Sequence, residues 1–251
     1  MSEQTIDANE EQPTTAVVNW EEKLAGYAQE AAKDEAIAGT WLSVKAGRLA
    51  IDKTPVAGNT LDCIVIANAY ENAWYEGKFD PNNLKPPSCY AINVVEDAMA
   101  PHEKAAKPQA TSCAECPKNE WGSAAEGKGK ACKNIRRLAL LPQDAVADPE
   151  KIKAAEVVYL KLPVLSVKNW SLYVNNVAAE FKRPPFAVVT QISTVPDTKA
   201  QFKVTFKTGY KVNDAPLIEA LVARHARESE TIDFPYQAET AKPETEETDK
   251  F

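Results

Sequence analysis

Four cysteines lie in one irregular stretch of the chain at the spacing of a metal site. Cys113 and Cys116 form a CxxC pair, Cys132 follows after fifteen residues, and Cys89 precedes the pair. Two thiolates on such a turn can bind one metal ion, and Zn²⁺ completes a tetrahedron with two further ligands. We therefore expect a structural zinc ion with four ligands: Cys89, Cys113, Cys116 and Cys132. His102 is the alternative to Cys89 as the fourth ligand.

The same residues fit redox or catalytic chemistry less well. A redox-active CxxC begins a helix within a βαβ unit, and no such pattern surrounds Cys113. Catalytic zinc usually draws on histidine and carboxylate ligands and keeps one position open. The chain contains two histidines, His102 and His225, and no HExxH motif. We therefore expect no enzymatic activity, and we expect Cys63, within the apolar run 61–66, to be a core residue.

A partial nucleotide-binding motif lies between the CxxC pair and Cys132. Residues 122–128 match the first part of a P-loop, but Gly129 stands where magnesium binding needs Ser or Thr. A P-loop follows a hydrophobic strand, and no such strand precedes this segment. The lysines here are better explained as a basic strip beside the cysteines, so we expect no ATP binding.

Cations and aromatic side chains accompany the cysteines. Proteins that bind single-stranded DNA combine a cationic groove with aromatic rings on which bases stack. Trp121, beside the CxxC pair, is the foremost stacking residue, and five cations fall within residues 128–137. The full set of predicted DNA contacts is Trp74, Tyr75, Trp121, Lys128, Lys130, Lys133, Arg136, Arg137, Lys182, Arg183, Lys203 and Lys207. Ordinary packing of the rings and a solvated basic loop are the alternatives.

The charge of the chain is divided between acidic ends and a basic middle. The net charge is −7, residues 228–251 carry eight acids against two lysines, and residues 1–12 carry four acids. Residues 13–227 therefore have a net charge of +3, which suits a body that binds an anion. The tail can compete for a basic groove or dock a partner through its terminal ring. The predicted partner-binding residues are Glu246, Glu247, Asp249 and Phe251, and a merely solubilising tail is the alternative.

Short β-strands predominate among the elements that would position these residues. The sequence predicts strands near 41–51, 61–68, 135–141, 157–162, 186–195 and 201–207. It predicts amphipathic helices over 20–31, from an N-cap at Ser166 to Phe181, and after Asp214. We expect a mainly β protein of the α+β class, an OB-fold-like barrel with a zinc-binding insertion at about residues 86–134. A β-sandwich is the alternative topology.

Composition indicates a globular protein with no membrane association. The chain has 251 residues, of which 44% are hydrophobic and 26% charged. No apolar run approaches the ~20 residues that cross a bilayer, and residues 1–12 lack the features of a signal peptide. We therefore expect a cytoplasmic protein. The predicted domains are a disordered acidic N-terminus (1–19), the barrel (20–227) and a flexible acidic tail (228–251).

Five segments of the chain carry a family resemblance. They are Trp41–Gly47, Glu71–Pro81, Pro87–Ala91, Cys113–Ser123 and Gly127–Arg137. In this order they resemble a family of tailed-bacteriophage single-stranded DNA-binding proteins with a four-cysteine zinc insertion. The resemblance implies a non-catalytic protein that protects and organises single strands in phage DNA replication, recombination or repair, within the bacterial host cytoplasm. The acidic tail ending in Phe251 is similar to the tails of phage and bacterial single-strand binders.

Three other functions fit part of this pattern. A phage regulator could contact host RNA polymerase or replication proteins through the zinc insertion or the tail. A zinc-stabilised interaction protein would need no nucleic acid. A zinc enzyme would need the open metal position that four thiolate ligands do not leave.

Overall fold

Nine strands form the framework of the part of the chain that the structure describes. The computed structural model describes residues 40–77, 85–126 and 128–236, together with Leu24. Its strands are β1 (Thr40–Lys45), β2 (Arg48–Ile51), β3 (Thr54–Pro55), β4 (Thr60–Trp74), β5 (Cys89–Asn93), β6 (Lys133–Pro142), β7 (Val158–Leu162), β8 (Val188–Asp197) and β9 (Gln201–Lys211). The helices that follow residue 40 are α1 (Pro149–Ala154), α2 (Val164–Phe181) and α3 (Ala215–Thr231).

The strands form one mixed sheet that curls into a half-barrel. Its order is β3-β2-β1-β7-β6-β4-β8-β9, and β5 pairs with β4 off this path. β1 and β7 run parallel, whereas the other described pairs are antiparallel. Residues 60–63 of β4 pair with β8 and residues 70–74 pair with β5, so the two ends of this long strand have different neighbours. The expected mainly β, α+β class is confirmed.

A β-bulge bends the long strand β4 in its middle. The register with β6 shifts between Val65 and Ala67, which leaves Ile66 as the extra residue. The carbonyl oxygen of Ile66 lies 2.6 Å from Nδ1 of His225 on α3, so the unpaired bulge carbonyl finds a partner. Because a bulge increases local twist and bend, β4 can pair with β8 at one end and with β5 at the other.

Two hydrophobic clusters cover opposite faces of the sheet. On one face, Trp170, Tyr173 and Val177 of α2 pack in a cluster that includes Leu140 of β6. On the other face, Leu221 of α3 packs in a second cluster with residues of β4 and β6. Adjacent strand residues point to opposite faces, so apolar runs in β4 and β6 supply both clusters. These layers hold rigidly the strand ends that lead into the cysteine-bearing loops.

The first predicted strand is in fact a hairpin. The sequence predicts one strand over 41–51, whereas β1 and β2 are separated by a tight turn at Ala46 and Gly47. Both turn residues have positive φ, 48° and 73°. The turn was missed because Ala46 occupies one of its two positions, and glycine is the residue that ordinarily indicates a positive φ. Strand β5 was not predicted from the sequence.

Helix α2 begins earlier than the sequence predicts. It starts at Val164, and Ser166 is not its N-cap. Ser166 Oγ instead accepts a hydrogen bond from the backbone N–H of Val204 at 2.9 Å. Asn169 Nδ2 donates to the carbonyl oxygen of the same residue at 2.8 Å. The serine was misassigned because its partner is a strand residue far away in sequence, and α2 thereby covers part of the outer edge of β9.

The last helix matches its prediction. Asp214 caps α3, with its carboxylate accepting from the backbone N–H of Leu217 at 3.1 Å, and Pro216 lies in the first turn. The helix predicted over 20–31 lies outside the described residues apart from Leu24, as does the predicted disordered segment 1–19. Within the described residues, none of the helices has the length and apolarity that crossing a membrane requires.

Folded structure continues beyond the predicted start of the acidic tail. Glu228 is buried in α3 and pairs with Arg224 at 2.7 Å. Ile232 is fully buried, and Arg137 donates to the carbonyl oxygens of Ile232 and Phe234 at 3.0 and 2.7 Å. The domain boundary predicted at residue 228 is therefore too early. Acidic composition does not distinguish a buried, ion-paired glutamate from a solvated one.

Candidate functional site

Four of the five cysteines come together at one end of the sheet. Cys89 opens β5, Cys132 immediately precedes β6, and Cys113 and Cys116 lie in the loop between these strands. All four side chains are buried and line the same cavity. We call this set the cysteine centre. The fifth, Cys63, lies in the sheet core as expected and donates to the Thr190 carbonyl at 3.6 Å.

Backbone hydrogen bonds fix the CxxC pair relative to Cys132. The N–H of Asn119 donates to the carbonyl oxygen of Cys116, and the amide Nδ2 of Asn119 donates to that of Cys113, both at 2.8 Å. The N–H of Cys132 donates to the carbonyl of Lys118, also at 2.8 Å. Backbone hydrogen bonds and the Asn119 side chain therefore fix the positions of Cys113, Cys116 and Cys132 relative to one another.

The surroundings of the cysteine centre favour neutral thiols. Burial, together with the neighbouring thiols Cys113, Cys116 and Cys89, raises the pKa of Cys132 to about 12. Burial also raises the pKa of Cys89 and of Cys113. Mutual repulsion among several thiolates disfavours their ionisation, so only a bound cation would hold them deprotonated together.

The chemistry of the cysteine centre fits zinc, although its side chains do not converge. Among the described residues, no three His, Cys, Asp or Glu side chains are arranged as a metal-binding group. The four thiols nevertheless share a cavity and influence one another's ionisation. An all-sulfur donor set suits Zn²⁺, so Cys89, Cys113, Cys116 and Cys132 are the residues that would hold the ion.

His102 does not belong to the cysteine centre. Its ring stacks on Tyr90 with centroids 5.1 Å apart, and its Nδ1 accepts from the N–H of Lys104 at 3.0 Å. It does not line the cavity among the described residues. Cys89, and not His102, therefore shares the cavity with Cys113, Cys116 and Cys132.

Trp121 projects into solvent from a turn beside the cysteine centre. Its side chain is 79% exposed, the largest value among the exposed large apolar residues of the described part of the chain. Ser123 Oγ ties the turn together: its one hydrogen is shared between the carbonyls of Lys118 and Glu120, and it accepts from the N–H of Ala131, at 2.7 to 2.9 Å. The tryptophan therefore contributes little packing and presents a bare ring on an ordered turn.

Strands β4 and β6 present a second aromatic surface next to the cavity. We call it the strand face; its members are Tyr70, Asn72 and Trp74 of β4 and Asn134 and Arg136 of β6. The Arg136 guanidinium lies 3.7 Å from the centroid of the Tyr70 ring. Lys118 Nζ lies 5.3 Å from the Trp74 ring. Both rings are thus already covered by a cation, whereas Trp121 is the most exposed aromatic ring among the described residues.

Three of the predicted lysine contacts follow Trp121 in the chain. Lys128 and Lys133 are exposed, whereas Lys130 is half-buried and donates to Asn119 Oδ1 at 3.2 Å. Tyr75, at the end of β4, is 47% exposed. The cysteine end of the sheet therefore combines the exposed rings of Trp121 and Tyr75, two rings covered by cations, and several further cations.

Arg137 is not a surface residue, which corrects its prediction as a phosphate contact. Its side chain is 1% exposed and donates to the fully buried carboxylate of Glu71 at 2.8 Å. Arg136 and Arg137 are adjacent on β6 and therefore point to opposite faces of the sheet. Two adjacent cations on one strand cannot lie on the same face. The position of both residues in a predicted strand already indicated this.

The predicted cations on α2 and β9 serve other roles. Arg183 donates to the carbonyl of Val212 at 2.7 Å and to the side chain of Asn213 at 3.1 Å. Lys203 pairs with Asp197 at 2.6 Å. Lys182 caps α2 in a left-handed conformation, and Lys207 lines a groove between α2 and β9. These four residues are carried by elements other than the cysteine-bearing loops, and two of them are committed to internal contacts.

A buried polar cluster was missed in the sequence. We call it the Glu71 cluster; it contains Glu71, Arg137, Lys161 and Tyr236. The Glu71 carboxylate accepts from Arg137 and from the Tyr236 hydroxyl, and Lys161 lies 3.6 Å away. Lys161 also lies 3.6 Å from the centroid of the Tyr236 ring. The cluster fastens the end of the folded chain to β4, β6 and β7, across separations in sequence that no local pattern reveals.

Comparison with known proteins adds no family. No protein-family model, curated protein or solved structure matches the chain. The predicted partner-binding residues Glu246, Glu247, Asp249 and Phe251 lie outside the described residues.

Proposed function

We propose that this protein binds single-stranded DNA, without changing it chemically, at the cysteine-bearing end of the curled sheet. The observation that carries the proposal is the 79% exposed ring of Trp121, held on an ordered turn that exposed lysines follow in the chain. Base stacking on an aromatic ring contributes about 1–3 kcal/mol and tolerates any sequence. A stacked base would remove part of this apolar ring from water, which is favourable.

The same features favour single strands over duplex. A base inside a duplex already has both faces stacked, so a protein ring can reach a base face only where the strand is unpaired. Lys128 and Lys133 are exposed and close to the ring in sequence, and they would follow the phosphates. Their contribution would be electrostatic and would weaken with added salt.

The strand order supports an OB-type barrel as part of the proposal. Strands β7-β6-β4-β8-β9 are consecutive neighbours, and α2 lies between β7 and β8 in sequence. A five-stranded Greek-key barrel of the OB type has this arrangement. Its loop between the first two strands, here the connection from β4 to β6, is one of those that bind oligonucleotides in OB-folds. That connection carries Trp121 and the cysteine centre.

Zinc would hold this connection in its folded form. The hydrophobic cluster beside it is small, comprising Ala91, Met99 and Cys113 with Tyr70 packed against them. Structural zinc supplies about 10–16 kcal/mol of apparent binding free energy to small domains of this kind. We propose that all four thiolates of the cysteine centre bind the ion, which leaves no position for a substrate.

The wider role follows from the family resemblance and is part of the proposal. The protein would coat single strands during phage DNA replication, recombination or repair in the host cytoplasm. Residues Glu246, Glu247, Asp249 and Phe251 would bind phage or host replication proteins through their charge and the terminal ring.

The test is a titration of a labelled dT oligomer and of a duplex of equal length, followed by fluorescence anisotropy at two salt concentrations. We expect tighter binding to the single strand, with log K falling at a slope of ~−0.7 per neutralised phosphate. Tighter binding to the duplex would contradict the proposal. Elemental analysis should find about one zinc per chain, lost in Cys113→Ser.

A further inference from the structure

The guanidinium group of Arg136 lies flat on the ring of Tyr70 in the strand face. Its Cζ atom is 3.7 Å from the ring centroid, which is van der Waals contact between carbon atoms. An edge-on guanidinium would bring its nitrogen atoms closer to the ring than their contact distance, so the two planar groups are close to parallel. Nη1 of Arg136 also donates to the carbonyl oxygen of Ile135 at 3.1 Å. The ring and the carbonyl together fix the orientation of the guanidinium.

The Tyr70 ring is in turn held by its surroundings. It is half-buried and packs against the small cluster of Ala91, Met99 and Cys113. Arg136 is also half-buried, so part of its side chain is open to solvent. The pair therefore presents a planar, charged group of fixed orientation on top of a packed ring.

A cation of a different shape covers the second ring of the strand face. Lys118 Nζ lies 5.3 Å from the centroid of the Trp74 ring. Trp74 follows Tyr70 by four residues, which is about 13 Å along β4 at ~3.3 Å per residue. The ammonium group of lysine is a point charge, whereas the guanidinium group of arginine is a flat surface that also carries charge. Of the two cations, only Arg136 therefore offers a plane to a ligand.

Lys118 joins the strand face to the turn that carries Trp121. Its carbonyl oxygen accepts from the N–H of Cys132 at 2.8 Å and from Ser123 Oγ at 2.9 Å, within that turn. Its ammonium group lies over Trp74 on the strand face. The exposed Trp121 ring and the guanidinium of the strand face are therefore carried by two parts of the protein that contact each other.

A guanidinium group that is stacked on a ring is itself a stacking surface. The unpaired bases of single-stranded nucleic acids stack on arginine planes as well as on aromatic side chains. A base on the outer side of Arg136 would complete a stack of ring, guanidinium and base, with the Tyr70 ring still covered. Because the positive charge lies within this plane, cation–π attraction adds to the contact.

We propose that Arg136 is a second base-stacking position, oriented by Tyr70, and that a single strand bound at Trp121 continues across the strand face. The inference rests on the proposed function and deepens it, because it names the part of the nucleotide that Arg136 binds. That part is the base and not the phosphate. Tyr70 is a positioning residue, since the layer of guanidinium separates its ring from the DNA.

The experiment compares a labelled dT oligomer with an oligomer of equal length in which every nucleotide lacks its base. Both carry the same phosphates, and fluorescence anisotropy with the full-length chain gives Kd for each. Arg136→Lys keeps the charge and removes the plane, so Kd for dT should rise about 5- to 150-fold, the loss of one stacked base. Kd for the abasic oligomer and the salt slope should stay unchanged. The matched control is Arg48→Lys, at an exposed arginine on β2, which should change neither Kd.

A second set of variants tests the positioning role of Tyr70. Tyr70→Phe keeps the ring under Arg136 and should bind dT as the unaltered protein does. Tyr70→Leu removes the ring and should weaken dT binding, again without effect on the abasic oligomer. The double variant of Tyr70→Leu with Arg136→Lys should be no weaker than Arg136→Lys alone, since the two residues act through one another. Thermal unfolding of each variant establishes that it folds.

The outcomes separate this inference from the proposed function. An unchanged Kd for dT in Arg136→Lys would overturn the inference and leave single-strand binding at Trp121 in place. Equal losses for the dT and abasic oligomers would also overturn it, because they indicate a phosphate contact or a general structural role. Additive losses in the double variant would remove the positioning role of Tyr70. Failure of the unaltered protein to bind dT would overturn the proposed function and the inference together.

Discussion

Replacement of Trp121 by alanine should weaken DNA binding without affecting the fold. The side chain is 79% exposed, so only about a fifth of it is removed from water. If complete burial contributes about 3 kcal/mol, the folded state gains at most about 0.6 kcal/mol from this ring. That corresponds to a change in melting temperature of about 2 °C or less for a chain of this size. Loss of one stacked base should instead cost about 1–3 kcal/mol of affinity.

The assay is equilibrium binding of a labelled dT oligomer, read by fluorescence anisotropy, with thermal unfolding as a parallel measurement. We expect Kd to rise about 5- to 150-fold in Trp121→Ala, and less in Trp121→Phe, which keeps a smaller ring. The slope of log K against log salt should stay unchanged, because no charge is removed. Tyr210→Ala, which removes another exposed ring on β9, should have no effect on Kd.

Two results would refute this reasoning. An unchanged Kd in Trp121→Ala would mean that bases do not stack on this ring. A melting temperature lowered by several degrees would mean that Trp121 packs against the loop around the cysteine centre, and the weaker binding would then have a structural cause.

Three further predictions concern charge. Replacing Lys128 and Lys133 together by alanine should make the salt slope of dT binding shallower by ~0.7 for each phosphate that the variant no longer neutralises; an unchanged slope would show that these lysines do not bind phosphates. Arg137→Ala should lower the free energy of unfolding by about 3–5 kcal/mol in urea denaturation, because the buried Glu71 carboxylate then keeps only Tyr236 and the more distant Lys161 as partners; near-native stability would contradict this assignment. Deleting residues 239–251 leaves every described residue intact and removes an acidic competitor, so dT affinity should rise at low salt. The increase should vanish above a few hundred millimolar salt, where the Debye length is well under ~10 Å, and weaker binding at every salt concentration would contradict the competition.

The sequence predicts the parts of this protein that local patterns encode. CxxC spacing predicted that Cys113 and Cys116 would lie close together, since a tight turn brings such residues together. Pro216, which is tolerated in the first turn of a helix, predicted a helix that follows Asp214. Short β-rich runs broken by glycine and proline predicted most strands, and therefore the mainly β class.

The remaining features depend on interactions between distant residues. Glu71 and Arg137 pair across 66 positions, and neither residue differs locally from an exposed one. Ser166 bonds Val204 across the fold and so does not cap its helix. Tyr236 lies in what reads as an acidic tail, yet its hydroxyl donates to buried Glu71. Strand alternation alone could have assigned Arg136 and Arg137 to opposite faces.

The most direct test of the central claim is photo-crosslinking of a single-stranded oligomer that contains 5-iododeoxyuridine, followed by peptide mapping. This base crosslinks to an aromatic ring stacked upon it. We expect the crosslinked peptide to contain Trp121, and excess unlabelled dT oligomer to suppress the product while an equal amount of duplex does not. Crosslinks confined to the groove between α2 and β9, or equal suppression by duplex, would contradict single-strand binding at the cysteine-bearing end of the sheet.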